Sequence, residues 1–256
     1  MLKIDLFNII NDFAKKGFVF SNEQDFQFSL GEKIKTLKGV KNVFFEALSL
    51  DPSITFSSIE SGVKSNINYN LSRTTKQYHD ILVELENKTF EIIELKYKTP
   101  GKICLYETQK EKNITFRQGA YDLGCYDFLS DVSRLENINS RNFLSDIKIS
   151  KSFCILLTND KNYRYNDFSK SGIWRMYSLC EKNKIIRKGT LTFKAGGMAY
   201  SIKSKKLSAV TLKNSYTLDW HDYELININT GKIYNDYKDI DKTYHPGFSY
   251  LIFEIE

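Results

Sequence analysis

The sequence predicts an α/β domain built on a mixed sheet, and three observations predict it. The stretch HDILVELENKTFEIIELKYK, residues 79–98, consists almost wholly of strand-forming residues around a short polar turn, the form of a hairpin. SFCILLTND, residues 152–160, is an apolar run ending in turn residues, as suits a strand buried on both faces. Between them, ITFRQGAYDLGCYDFLSDVSRLENI has apolar residues at Phe116, Ala120, Cys125, Phe128, Leu129, Val132 and Leu135, the spacing of a helix of several turns. Strand, helix, strand in that order is a crossover between parallel strands, whereas the hairpin is antiparallel, so the sheet must be mixed.

The other elements follow in chain order. Residues 2–16 place Leu2, Leu6, Ile9, Ile10 and Phe13 on one side of a helix that Gly17 stops. A second helix begins near Ser21, where S-N-E-Q has the form of a capping box, and ends before Gly39. KNVFFEALSL reads as a strand, followed by a loop rich in Ser and Asn to about Gln77. In the last third, GTLTFKAGGMAYSIK predicts a hairpin with Ala195, Gly196 and Gly197 at its tip, and YTLDW and GFSYLIFEIE predict further strands.

The 256 residues suffice for a substantial core, and three prolines with no Gly/Ser tract or repeat mark no linker. One domain is expected, with its core at about 20–160 and a strand-rich extension at about 161–256. The amphipathic start carries acids within its apolar stretch and is neither a signal peptide nor a membrane span, so a cytoplasmic protein without membrane contact is expected. Cys104, Cys125, Cys154 and Cys180 form no C-x-x-C pair and His79, His221 and His245 share no ligand spacing, which argues against zinc and for reduced, buried thiols. No G-x-x-x-x-G-K-[ST], G-x-G-x-x-G or G-x-S-x-G occurs. Trp174 and Trp220, like Tyr126, Phe128 and Leu129, read as core or rim residues rather than as a base-stacking surface.

Net charge is +6, and its distribution says more than its size. Lys182, Lys184, Arg187, Lys188, Lys194, Lys203, Lys205 and Lys206 follow one another with no acid between them. Such a block is either a solvated face or a polyanion contact.

Within the hairpin, Glu94 and Lys96 leave the same face of their strand. If Leu85 pairs with Thr89 across a three-residue turn, paired positions sum to 174 and Asp80 lies opposite Glu94. A two-residue turn would instead set Glu84 opposite Glu91, a like-charge pair. The odd-length turn is therefore expected, with Asn87 left-handed in a bulge. Two carboxylates converging in a partly dry site need a cation, and a hard divalent ion such as Mg²⁺ prefers oxygen ligands. Lys96 beside it could orient or activate water, or balance charge on phosphorus. The bland reading is an ion pair of Glu94 and Lys96 at a sheet edge.

An Asp near the start of one strand, thirteen intervening residues, then Glu94-Leu95-Lys96 on the next strand resembles the PD-(D/E)-x-K nuclease superfamily, the restriction-endonuclease-like fold. His79 stands where the signature has proline, which many members lack. VFFE, ending at Glu46, looks like the preceding strand, whose acid often completes the metal site; alternatively Glu46 is an exposed strand residue. RQGAYDLGCYDFLSDVSRLE looks like the following helix in uncharacterised bacterial members, and Gln118 is similar to a glutamine that approaches the site there. Asp122 stands where the exonuclease branch has a tyrosine, which disfavours that branch. ILLTND and YTLDWHDYE look like late elements of the same group.

The resemblance implies a restriction-endonuclease-like core, a central mixed β-sheet flanked by helices, and a metal-dependent DNA endonuclease, in restriction or defence against foreign DNA. Asp80, Glu94, Lys96 and Gln118 would be catalytic; Asp80, Glu94 and Glu46 would hold Mg²⁺, with Mn²⁺ able to substitute. Lys184, Arg187, Lys188, Lys194, Lys203, Lys205 and Lys206 would grip phosphates. RNA is not separable from DNA as the substrate. Restriction-type cutters often pair to cut both strands, so a homodimer is one form to expect. The competing reading is a catalytically silent nuclease-fold protein that binds nucleic acid or a protein partner.

Overall fold

The computed structural model describes residues 5–48, 78–99, 120–139, 148–167, 172–193, 207–225 and 247–256, together with the strand backbones of 104–107 and 112–115. Helix α1 (Leu6–Lys15) begins at Asp5, whose carboxylate accepts from the Asn8 N–H at 3.0 Å, and buries Leu6, Ile9, Ile10, Phe13 and Ala14. Gly17 follows with φ 70°, so a residue without a Cβ turns the chain out of the helix. Helix α2 (Glu23–Lys35) starts one residue later than the expected capping box. Asn22 accepts from the Asp25 N–H at 2.8 Å, and Asp25 accepts in return from the Ser21 N–H at 2.9 Å.

Strands β1 (Val40–Leu48), β2 (Tyr78–Leu85) and β3 (Thr89–Lys98) form an antiparallel meander. After β4 (Cys104–Glu107) and β5 (Lys112–Thr115), which pair with each other, α3 (Tyr121–Asn139) leads into β6 (Lys148–Thr158), parallel to β3. The long helix thus begins later than its periodicity predicts, because Ile114 and Thr115 belong to β5. Helix α4 (Asn162–Tyr165) is short. Strands β7 (Ile185–Ile186) and β10 (Tyr216–Thr217) form one small ladder, and β8 (Gly189–Leu191) and β9 (Val210–Leu212) another. Strand β8 opens the segment expected to form a hairpin with Ala195, Gly196 and Gly197 at its tip. That tip lies in 194–206, outside the described residues. Strands β11 (Trp220–Tyr223) and β12 (Phe248–Ile255) complete the main sheet.

That sheet is six-stranded and mixed, in the order β1-β2-β3-β6-β12-β11, and two of its strands come from the segment after residue 160. Helices α1 and α2 cover one face, around Ile81, Val83, Ile93, Leu95, Tyr97 and Phe153. Helix α3 covers the other, around Leu82, Ile92, Cys154, Leu156 and Phe253. Cys125, Cys154 and Cys180 are free and buried, and burial pushes the thiols of Cys125 and Cys154 well above their ordinary range. Trp174 and Trp220 are core residues; the Trp220 indole donates to the Leu179 carbonyl at 2.8 Å. No helix among the described residues is long and apolar enough to cross a membrane.

Candidate functional site

The β2–β3 register is the one that the odd-length turn predicts: Ile81↔Ile93, Leu82↔Ile92, Val83↔Glu91, Glu84↔Phe90. The left-handed residue of the turn is Lys88, with φ 63°, not Asn87. A three-residue loop puts its left-handed conformer last. Asn87 instead turns its side chain inward and accepts from the Thr89 N–H at 3.0 Å.

The ladder stops at Ile81↔Ile93 although both strands run on. Beyond that point β2 stays with β1 and β3 stays with β6, so the pair opens into a fork. At the fork, carboxylates accept from two amides of β3. Asp80 Oδ2 accepts from the Leu95 N–H at 2.6 Å, and Glu23 Oε2, from the first turn of α2, accepts from the Tyr97 N–H at 2.8 Å.

The strand opposite prepares the fork. Glu46 has φ 49°, a costly conformer for a residue with a Cβ. Before it, Phe45 packs toward α1 and α2; after it, Ala47, of the same parity, packs toward α3. The pleat inverts at Glu46. His79, the partner of Ala47, is thereby on the α3 face, where simple alternation would not put it, and its Nδ1 lies 2.7 Å from Glu94 Oε1.

On that face the charges form one chain. Glu94, with 3% of its side chain exposed, contacts Arg134 Nη2 through Oε2 at 2.7 Å. The same nitrogen lies 2.9 Å from Asp131 Oδ1, and Arg134 Nη1 donates to the Tyr78 carbonyl at 3.1 Å. Asp131 Oδ2 holds Lys96 Nζ at 2.6 Å. On the α2 side, Gln27 Nε2 donates to the Asp80 carbonyl at 2.5 Å and to Glu46 Oε1 at 3.1 Å, joining the exposed Glu46 to the same strand end.

The electrostatics reflect this crowding. Burial, and then the charge of Glu94, push the Asp80 carboxyl up to about 7 against the Leu95 hydrogen bond and the Lys96 charge. Burial disfavours the Lys96 ammonium, but Asp131 and Glu23 outweigh it and hold the group well above its ordinary range. Arg134 is likewise opposed by burial and raised by Glu94 and Asp131. Lys96 is therefore a fixed cation at neutral pH, not a base. Counted formally, Asp80, Glu94, Asp131 and Glu23 face Lys96 and Arg134, four carboxylates against two cations.

Asp80, Glu94 and Lys96 are thus brought to one place, and Glu46 of β1 is linked to the Asp80 backbone through Gln27. Gln118, with Arg117, lies in 116–119, outside the described residues. Asp122 sits in the first turn of α3, where its Oδ1 accepts from the Leu123 N–H at 2.8 Å. Of the basic block, Lys184, Arg187 and Lys188 are exposed around β7; Lys194, Lys203, Lys205 and Lys206 fall outside the described residues. Arg187 and Lys188 border, with Arg175, a concavity of about 400 Å³. Its wall includes β8, whose partner β9 accepts from Ser133 Oγ at the Thr211 carbonyl, at 2.6 Å, one residue from Arg134.

Sequence reasoning did not place Glu23, His79, Asp131 or Arg134 in the site. Asp131 left a signal: three residues after Phe128 and four before Leu135, it borders the side of α3 that the apolar spacing turns to the sheet, whereas Arg134 falls outside that spacing. Among the described residues, no group of three or more His, Cys, Asp or Glu side chains is already gathered as a metal cage. No family model, no curated protein and no solved structure matches the chain.

Proposed function

We propose that the protein is a divalent-metal-dependent phosphodiesterase acting on DNA, with a restriction-endonuclease-like core in which Asp80, Glu94 and Lys96 are the working residues. The single observation that carries this reading is the gathering of these three side chains at the open end of the β2–β3 pair.

The donor set fits a hard cation. Every donor is a carboxylate oxygen, the formal excess is two negative charges, and a guanidinium already lies between Glu94 and Asp131. Asp80 and Glu94 would hold Mg²⁺ or Mn²⁺, with Glu46 next in reach along β1. When bound, the ion supplies Lewis acidity for phosphodiester hydrolysis.

The remaining work belongs to the chain. Lys96, permanently charged and oriented by Asp131, offers a cation to the oxygens of the phosphate as charge develops on them. Asp80, near 7, gives up its proton when a cation enters beside it. Arg175, Arg187 and Lys188, which line the concavity beside β8, would grip the polyanion backbone.

The test is incubation of the purified protein with supercoiled and linear DNA, and with RNA in parallel, in Mg²⁺, Mn²⁺ or EDTA. Cleavage with a divalent ion is expected, lost in Asp80→Ala and Lys96→Ala; full cleavage by both variants refutes the assignment. One observation favours a second reading, a protein that binds nucleic acid without cutting. Both oxygens of Glu94 are engaged, by His79 and Arg134. That reading expects DNA retention without nicks in any metal.

A further inference from the structure

Arg134 is the most constrained cation of the site. It issues from the C-terminal half of α3 and makes three contacts, to Glu94 Oε2, Asp131 Oδ1 and the Tyr78 carbonyl, while only 18% of its side chain is exposed. Its Nη2 contacts both carboxylates, at 2.7 and 2.9 Å. An arginine that merely anchored a helix to a sheet would serve as well with one carboxylate. A cation between two acids, one of them Glu94, is in a position to compete with any metal those acids would take.

Partial burial makes the competition strong. Two positive charges on one carboxylate repel each other across a medium far less screening than water. Glu94 can therefore turn an oxygen to a metal only as Arg134 withdraws toward Asp131. Asp131 is suited to receive it, since its other oxygen already holds Lys96. His79 keeps Glu94 Oε1 fixed meanwhile, so that the freed oxygen is Oε2.

We infer that Arg134 is the resident cation of this site, a positioning residue that neutralises Glu94 when no metal is bound and sets how tightly, and how selectively for divalent ions, the site takes one. This rests on the metal-dependent reading above. It adds that metal affinity is held down by the protein's own guanidinium.

The experiment measures metal binding, not cleavage. Wild type, Arg134→Gln and Arg134→Lys are titrated with Mn²⁺ under calorimetry and electron paramagnetic resonance at pH 8, and melted with Mn²⁺ or EDTA. The expected result is that Arg134→Gln binds Mn²⁺ at least about ten-fold more tightly than wild type, since a competing unit charge has been removed, whereas Arg134→Lys stays near wild type.

If Arg134→Gln is poorly stable in EDTA because Glu94 is left buried without a counter-charge, the inference requires that Mn²⁺ raise its melting temperature more than wild type's. Equal affinity in wild type and Arg134→Gln, with equal metal-induced melting shifts, overturns the inference and leaves the metal reading standing. Absence of Mn²⁺ binding in all three proteins overturns both.

Discussion

Asp80 offers the sharpest quantitative test of the site, because its carboxyl is raised while a single isosteric change removes its charge. Asparagine keeps an oxygen able to accept from the Leu95 N–H, so Asp80→Asn preserves the hydrogen bond that closes the fork and deletes only the ionisation. In metal-free buffer the folded pKa is about 7 against an ordinary 3.8. An acid whose folded pKa is raised stabilises the fold fully below the unfolded pKa. That contribution is lost as pH rises through the folded one. At about 1.4 kcal/mol per unit the full span is about 4 kcal/mol, and the partial exposure of Asp80 brings the expected figure to about 2–4 kcal/mol.

Asp80→Asn should therefore match wild type in stability near pH 4 and exceed it by about 2–4 kcal/mol at pH 8, with the gap opening between those limits. Urea denaturation in EDTA at half-unit pH steps measures it. Repeating the pH 8 series in Mg²⁺ adds the functional half. Wild type should gain about 1.4 kcal/mol at ten times its Kd, and Asp80→Asn should gain little. A gap that is flat across pH, or a variant less stable than wild type at pH 8, would refute the reasoning that Asp80 is held ionised at a cost.

The remaining tests probe what surrounds the site. Glu91, 1% exposed, is pushed up to about 7 by burial, Lys151 offsetting and Glu254 adding to the rise; Glu91→Gln should leave stability unchanged at pH 4 and raise it by about 1–3 kcal/mol at pH 8, measured by urea denaturation. Glu136 accepts from the Lys213 and Asn214 amides and from the Tyr216 hydroxyl, so Glu136→Ala strands three donors and should cost about 3 kcal/mol, with loss of amide protection over 210–217 in hydrogen exchange. Glu46→Gly suits φ 49° and should be stability-neutral within about 1 kcal/mol. Glu46→Val does not suit it, and should restore plain alternation and move the imidazole of His79 off Glu94, seen as a changed His79 side-chain NMR signal.

How far the sequence reveals this arrangement depends on whether the cause is local. The hairpin register is legible because turn length and like-charge avoidance both act within twenty residues. Asn87 is the more natural left-handed residue by type, but the loop geometry puts that conformer last, at Lys88. The pleat inversion at Glu46 leaves no trace in an alternating pattern, so His79 reads as facing away from Glu94. Glu23 reaches the amide of Tyr97 across the whole of α2 and the hairpin, and the S-N-E-Q signal explains it as a helix start. The pairing of β8 with Val210–Leu212 is not legible either, because that partner is distant in sequence and is selected by packing against α3.

The fork bears on the question that a polar cluster in an apolar hairpin poses. At the fork two amides of β3 donate to carboxylates, and a buried amide left orphaned costs about 1–3 kcal/mol. Carboxylates at 23 and 80 therefore have a structural task at the same spot where the proposed chemistry needs them. Either task alone would account for an acid at each position, so alanine at Asp80 removes both and cannot tell them apart. Amide substitutions can: Asn at 80 and Gln at 23 still accept from Leu95 and Tyr97 while carrying no charge. Glu94 and Lys96 have no such alternative, because both reach into the chain of ion pairs along α3 rather than to an amide of the fork. A fold that needed only closure of the fork would tolerate leucine at both. The charge at 94 and 96 is thus the part of the cluster that backbone satisfaction does not explain, and it is the part on which the proposed chemistry depends.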